Sequence, residues 1–148
     1  MSHSYSQNHI HLVFSTKDRE KLAAKALQKR LWAYMTGICK SFDMLTFAIG
    51  GMEDHVHALF RLPPTMTLAR AVNLLKVNSS KWMNEQQSTR FGWQKGYGAF
   101  SVSSSNIAKV VKYIDNQEAH HRKRTFEEEY IALLKMHGVS FDPKYVFG

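Results

Sequence analysis

The sequence lacks the features that would place the protein in an oxidising compartment or in a membrane. It has one cysteine, Cys39, so an internal disulfide is excluded and we expect a cytoplasmic protein. It has no apolar run of about 18 residues, which excludes a membrane-spanning helix and argues against a membrane partner. Its first segment, residues 1–7, has neither the basic region nor the apolar stretch of a signal peptide, so we expect none.

Acidic residues are also few. The chain has 12 Asp and Glu residues against 20 Lys and Arg residues, which gives a net charge of +8 and a pI near 9.7. Such an excess favours an anionic partner, with nucleic acid as the first candidate, although a basic surface that only faces solvent has the same composition. The length of 148 residues is that of one domain, which we assign to residues 1–148.

The apolar residues alternate between strand-like and helix-like spacing. The resulting order is strand–helix–strand–strand–helix–strand, followed by two more helices. It predicts an α+β, ferredoxin-like four-stranded antiparallel sheet with two crossover helices, a third helix against the other face and a fourth, C-terminal helix. Gly50 and Gly51 predict a turn or bulge, and Gly138 the end of the last helix. The predicted strands are 8–15, 44–49, 54–62 and 100–103, and the helices are 23–40, 68–86, 107–121 and 126–137.

The third predicted strand contains His55-Val56-His57. A strand has period two, so both imidazoles lie on one face, about 7 Å apart, where they can converge on one divalent ion. Histidines that alternate on a half-solvated strand give the same pattern without a metal. The first strand carries a rival pair, His9 and His11.

The third predicted helix carries a polar stripe with Tyr113 and Gln117 one turn apart. Such a tyrosine is commonly a residue at the edge of the core; the alternative is a phenolic nucleophile beside a carboxamide metal ligand. The second interpretation requires that the stripe faces His55 and His57. The basic residues at the end of this helix either match its dipole or bind phosphate. They are His120, His121, Arg122, Lys123 and Arg124.

Five segments, in the same order along the chain, resemble a known family of transposases. These are the single-tyrosine HUH transposases of the TnpA type, which the smallest bacterial insertion sequences encode; HUH stands for His-hydrophobic-His. The REP-associated tyrosine transposases are related to them. The segments are residues 11–17, 54–57, 93–103, 113–121 and 126–130. Their order along nearly the whole chain carries the resemblance.

The resemblance implies a metal-dependent enzyme that cuts and rejoins single-stranded DNA at insertion-sequence ends. Tyr113 would be the nucleophile, with a 5′-phosphotyrosine intermediate, and His55, His57 and Gln117 would bind Mg²⁺ or Mn²⁺. The resemblance further implies recognition of hairpins near the ends, and a homodimer in which Tyr113 serves its own metal site or the partner's. A domesticated, REP-associated relative is a second possibility within the same resemblance.

Two functions of other classes compete with this one. A ferredoxin-like module that only binds nucleic acid would need exposed aromatic residues on its strands, whereas Phe14, Phe47 and Phe60 alternate like core residues. A phosphoesterase with two histidine motifs usually carries Ser or Thr two residues after each histidine, where this chain has a second histidine. Charge alone predicts contacts with a nucleic-acid backbone by Lys76, Lys81 and Arg90.

Overall fold

The computed structural model describes residues 3–148 and contains one four-stranded antiparallel sheet. Met1 and Ser2, which belong to the segment predicted to hold no signal peptide, lie outside the described residues. The strand order is β2-β3-β1-β4, which is that of a ferredoxin-like fold and confirms the predicted fold class. The strands are β1 (His9–Ser15), β2 (Leu45–Met52), β3 (His55–Arg61) and β4 (Gly98–Val102).

Two long helices, α1 (Lys25–Ser41) and α2 (Leu68–Gln86), cover one face of the sheet. The inward residues of β1 on this side are Ile10, Leu12 and Phe14, as their period-two spacing predicts. The side chain of Thr67 accepts a hydrogen bond from the Arg70 backbone N–H and so caps α2 at its predicted first turn. The buried apolar residues that α1 and α2 bring to this core are Leu31, Met35, Ile38, Cys39, Ala71, Val72, Leu75 and Met83.

Three shorter helices cover the other face. They are α3 (Ile107–Asp115), α4 (Gln117–His121) and α5 (Phe126–Met136). The prediction of one continuous helix from residue 107 to 121 is wrong, because the chain leaves helical geometry at Asn116, where φ is −100° and ψ is 22°. Helix α3 packs on β2 and β3, and α5 closes a second apolar cluster. The buried members of that cluster are Val13, Phe100, Phe126, Tyr130, Leu133 and Leu134.

Gly50 and Gly51 lie within β2 and pair with His57 and Val56 of β3, so the predicted turn or bulge at these glycines is wrong. The irregularity in β2 lies earlier, between Thr46 and Ala48. Close packing, rather than a turn, explains why position 50 is a glycine. A Cβ there would lie 3.1 Å from the carbonyl oxygen of Ile114 in α3. The missing side chain lets the third helix approach the sheet backbone closely.

The end of α5 lies where the sequence predicts it. Gly138 adopts a φ of 66° immediately after the helix, a conformation that favours glycine. Among residues 3–148, no helix combines the length and the apolar character needed to cross a membrane.

Candidate active site

His55 and His57 are fully buried on the face of β3 that is turned toward α3, α4 and α5. Their ring centroids are 5.1 Å apart. Val56 and Ala58, which alternate with them, belong to the core under α1 and α2. Period two therefore puts both imidazoles on one side of the sheet, as predicted.

A further side chain holds each of these imidazoles. Nδ1 of His55 donates to Oδ1 of Asp54 at 2.7 Å. Burial raises the pKa of Asp54, but its hydrogen bond with His55 and the attraction of the nearby imidazoles together leave the pKa below its ordinary value. Nδ1 of His57 lies 2.9 Å from Nε2 of His11, and burial followed by repulsion from His57 lowers the pKa of His11 to about 3. Partners of this kind fix the tautomer and orientation of a metal-binding histidine and direct its Nε2 at the site.

The rival pair on β1 is divided between two environments. His11 contacts His57, whereas His9 bonds to Gln7 at 3.0 Å and packs edge-on against Phe47 at 5.4 Å. The second histidine of this pair therefore joins the site as a neighbour of His57, and the first packs elsewhere.

The polar stripe faces the histidines, as the functional interpretation of Tyr113 requires. The ring of Tyr113 lies 5.6 Å from that of His57, and Oε1 of Gln117 lies 2.8 Å from Nε2 of His55. All four residues belong to the same chain.

Glu129 of α5, which was not among the predicted site residues, lies among these groups. It is 1% exposed. Its carboxylate lies 3.0 Å from Nε2 of His57 and 3.1 Å from Nε2 of His121, and accepts a hydrogen bond from the Tyr113 hydroxyl. Burial raises the pKa of Glu129, but the facing His57 and the hydrogen bond with His121 lower it well below its usual range. The carboxylate is therefore ionised inside the cluster.

The position of Glu129 on the apolar face of its helix is a sequence signal that could have identified it. A run of three glutamates in the first turn of a helix matches the helix dipole, and that explanation needs no contact with a site. However, Glu129 shares its helical face with Phe126, Tyr130 and Leu133, all of which are buried. A carboxylate on the apolar side of a helix needs a buried partner.

The cluster is suited to a metal ion. The ligand atoms of His55, His121 and Glu129 all lie within 4.8 Å of one another. Imidazole nitrogen together with carboxylate and carboxamide oxygen is a donor set that suits Mn²⁺ and also permits Mg²⁺.

Basic residues flank the hydroxyl of Tyr113. Nε2 of His120 lies 3.4 Å from it, and His120, Lys123 and Arg124 line an open depression at this side of the molecule. Arg122 is exposed in the same segment. The structure thus brings His120, Lys123 and Arg124 of the predicted basic residues to the region of the tyrosine.

The three other predicted DNA contacts lie elsewhere. Lys76 and Lys81 belong to α2, on the opposite face of the sheet, and Arg90 is exposed in the loop that follows. The ammonium group of Lys76 donates to the backbone carbonyls of residues 94–96 at 2.8, 3.2 and 2.7 Å. Burial lowers its pKa to about 8. These bonds direct the ammonium group of Lys76 at the backbone of its own chain, and its predicted contact with a nucleic-acid backbone stays a prediction.

The sequence model of a known family, described as "Transposase IS200 like", matches residues 4–117. The chain belongs to the IS200-like transposase family. It is therefore an enzyme that processes DNA, and the resemblance stated from the motifs is confirmed. The match ends at Gln117, so His121 and Glu129 lie C-terminal to the part that this IS200-like transposase shares with the family model.

Individual proteins that are similar to this chain are also transposases. The transposases for insertion sequence element IS200 of Salmonella typhimurium and Salmonella typhi are each 25% identical to this IS200-like transposase over 124 residues, covering 79% of this chain and 81% of theirs. A crystal structure assigned to a transposase of Deinococcus radiodurans aligns with a TM-score of 0.62 at 24% identity, covering 79% of this chain and 96% of the other. A REP-associated tyrosine transposase bound to a REP hairpin aligns with a TM-score of 0.58 at 12% identity, covering 82% of this chain and 73% of the other. The two structures share its fold.

Proposed function

We propose that this IS200-like transposase cleaves and rejoins single-stranded DNA at the ends of an insertion sequence, with Tyr113 as the nucleophile. One observation carries the proposal: the ring of Tyr113 lies 5.6 Å from that of His57, in the same cluster as His55 and Gln117. A phenol at the edge of a core does not need two buried imidazoles and a carboxamide around it. A nucleophile that attacks a phosphodiester does, because the reaction concentrates negative charge.

His55, His57 and Gln117 would hold the Mg²⁺ or Mn²⁺ ion that the family resemblance implies. The residues fit such an ion: Nε2 of His55 and Oε1 of Gln117 are 2.8 Å apart, and Asp54 accepts a hydrogen bond from the other ring nitrogen of His55. A divalent cation bound there would polarise a phosphate oxygen and stabilise the negative charge of the phenolate and of the transition state.

The cleavage step forms one bond and breaks one bond at phosphorus. The Tyr113 oxygen attacks, a tyrosine O–P bond forms, and the P–O3′ bond breaks. The phenol loses its proton, and the leaving 3′ oxygen gains one. Because one phosphoester replaces another, attack by a second 3′-OH reseals the strand without ATP. Burial and the neighbouring Glu129 raise the pKa of Tyr113, so the hydroxyl is protonated at neutral pH before DNA binds.

We further propose that the basic residues near Tyr113 hold the DNA backbone. His120, Lys123 and Arg124 line a depression beside its hydroxyl, where a strand that presents its scissile phosphate would pass. Exposed Arg122, Lys81 and Arg90 are proposed as further backbone contacts. The DNA would carry hairpins near the element ends, and the working form would be a homodimer.

The experiment is a covalent-trapping assay. Labelled single strands that carry a hairpin and its flank, taken from the DNA around the gene, are incubated with protein and Mn²⁺ and resolved under denaturing conditions. Wild type should give a protein–DNA adduct. Tyr113→Phe should give none while it still binds the hairpin, and Tyr97→Phe, which alters an exposed tyrosine, should behave like wild type. An adduct that persists in Tyr113→Phe would remove Tyr113 as the nucleophile.

A domesticated REP-associated role is the second candidate. It is favoured by the shared fold with the REP-associated tyrosine transposase that was solved with its hairpin. The DNA around the gene separates the two. Hairpins at both ends of a short element indicate a mobile insertion sequence, whereas palindromes scattered through the genome indicate the REP-associated role.

A further inference from the structure

Two imidazoles in the cluster donate hydrogen bonds from Nδ1 to acceptors outside the cluster. Nδ1 of His55 donates to the Asp54 carboxylate at 2.7 Å. Nδ1 of His121 donates to the backbone carbonyl of Arg124 at 2.8 Å. In a neutral imidazole whose Nδ1 carries the hydrogen, Nε2 has none. Nε2 is then a hydrogen-bond acceptor, and its lone pair points into the cluster.

The Nε2 lone pairs of His55 and His121 point at two oxygen atoms, which are hydrogen-bond acceptors as well. Nε2 of His55 lies 2.8 Å from Oε1 of Gln117 and 3.4 Å from Oε1 of Glu129. Nε2 of His121 lies 3.0 and 3.1 Å from the same two oxygens. Nε2 of Gln117 donates to Oε2 of Glu129 at 3.2 Å, which turns the carboxamide oxygen toward the imidazoles. Four acceptor atoms therefore face one another in a buried space.

A cation removes this conflict, and the spacing suits one. Ligands bound at about 2.1 Å in an octahedron lie about 3 Å from their neighbours. The contacts of His55 and His121 with the two oxygens, and the 3.0 Å between His57 Nε2 and Glu129 Oε1, all fall near that value. His55 and His121 also show the second partner that metal-binding histidines generally have.

We propose that Glu129 and His121 are ligands of the same metal ion, in addition to His55, His57 and Gln117. Glu129 coordinates through Oε1, and its Oε2 holds the Tyr113 hydroxyl and so positions the nucleophile beside the ion. Five protein ligands leave one octahedral position for a phosphate oxygen. The carboxylate also supplies the only negative ligand of the set, which suits Mg²⁺ or Mn²⁺ better than neutral nitrogen ligands alone. The inference rests on the proposed function in one respect, that a divalent ion binds at this cluster.

The competing explanation is that His55 and His121 each carry two protons and simply pair with Glu129. The two explanations differ in metal affinity. Under the proposal, removal of the Glu129 charge or the His121 ring weakens ion binding. Under the competing explanation, the same changes alter the stability of the protein and leave its metal affinity unchanged.

The test measures Mn²⁺ affinity from the electron paramagnetic resonance signal of the free ion, without DNA. The variants are Glu129→Gln, which keeps the size of the side chain, and His121→Ala. His57→Ala is the positive control. The matched control is His120→Ala, which changes the adjacent histidine, whose Nε2 lies 3.4 Å from Oε2 of Glu129 and outside the group of ligand atoms. Circular dichroism melts establish that each variant is folded.

We expect Glu129→Gln and His121→Ala to bind Mn²⁺ about 10- to 100-fold more weakly than wild type, and His120→Ala to bind it within about twofold. In wild type labelled with ¹⁵N-histidine, pulsed measurements of the bound Mn²⁺ should show three coupled imidazoles; this readout does not depend on whether a variant folds. Wild-type affinity in both variants, with loss in His57→Ala, would overturn the assignment of Glu129 and His121 and leave the proposed function intact. A wild-type protein that binds no Mn²⁺ would overturn both.

Discussion

Two lysines of α2 have the same charge and different surroundings. Lys76 donates three hydrogen bonds to the backbone of the loop that leads into β4 and lies 5.0 Å above the ring of Phe14. Lys81 is exposed. Charge predicts the same role for both, because composition does not distinguish an ammonium group held by carbonyls from one that faces solvent.

Replacement of these lysines by methionine should therefore have unequal effects. Lys76→Met leaves three carbonyls without their donor and should lower the free energy of unfolding by about 1–3 kcal/mol. Lys81→Met should change it by less than about 0.5 kcal/mol. Urea unfolding measures both values. Equal losses, or a larger loss for Lys81→Met, would mean that Lys76 does not hold the loop.

The third helix reaches the sheet at Gly50. A Cβ at this position would meet the carbonyl oxygen of Ile114 at 3.1 Å and its Cγ2 at 3.2 Å. Ile114 follows Tyr113 directly, so the distance between α3 and β2 also sets the position of the tyrosine.

Gly50→Ala should push α3 away from β2, because the closest atom is backbone and cannot turn aside. We expect a loss of about 1–3 kcal/mol in the free energy of unfolding and reduced formation of the DNA adduct. Gly37→Ala is the matched control, since nothing lies within 4 Å of a Cβ at this position of α1 and alanine favours helix. A Gly50→Ala protein with wild-type stability and adduct yield would contradict the close packing of α3.

The capping box at the start of α5 makes the stability of this helix depend on pH. The Thr125 backbone N–H, and then its hydroxyl, donate to Glu128 and lower the pKa of that carboxyl below 4.5. The native state then holds this proton less tightly than the unfolded state. Its contribution is complete above the unfolded-state pKa and is lost as the pH falls through the lower native value. Glu128→Gln should be less stable than wild type at pH 7, and the difference should shrink as the pH falls below the unfolded-state pKa and through the lower native one. Chemical unfolding at several pH values measures it; a difference that does not change with pH would contradict the role of the charge.

Local patterns predicted the elements well and their meeting points poorly. The alternation through His55, Val56 and His57 and the helix end at Gly138 depend on neighbours in sequence, and the structure confirms both. The break at Asn116 was missed because it depends on packing of α3 and α4 against the sheet, which no helical spacing encodes. Glu129 was missed because a match to the helix dipole explains a glutamate in the first turn of α5, so no contact with a distant residue was needed to account for it.

Within this chain Tyr113 lies beside its own His57, and this arrangement makes a prediction for the proposed homodimer. A mixed dimer would carry Tyr113→Phe in one subunit and His57→Ala in the other. With nucleophile and metal ligands in cis, neither subunit has a complete site, so we expect no DNA adduct from a verified heterodimer. Adduct formation by the mixture, with both homodimers inactive, would show that the tyrosine works on the partner subunit's site. Tandem affinity tags isolate the heterodimer for this assay.

Helix α5 supplies Glu129 and also the apolar residues that cover Val13 and Phe100 on the sheet. The residues that cover this face of the sheet and the carboxylate proposed as a metal ligand are therefore encoded by one segment. A gene copy that is frameshifted after the codon for Gln117 still encodes all of the family match, yet its product exposes one face of the sheet to water. We expect such a product to be degraded, so that decayed copies leave no stable remnant to compete with the intact enzyme for DNA.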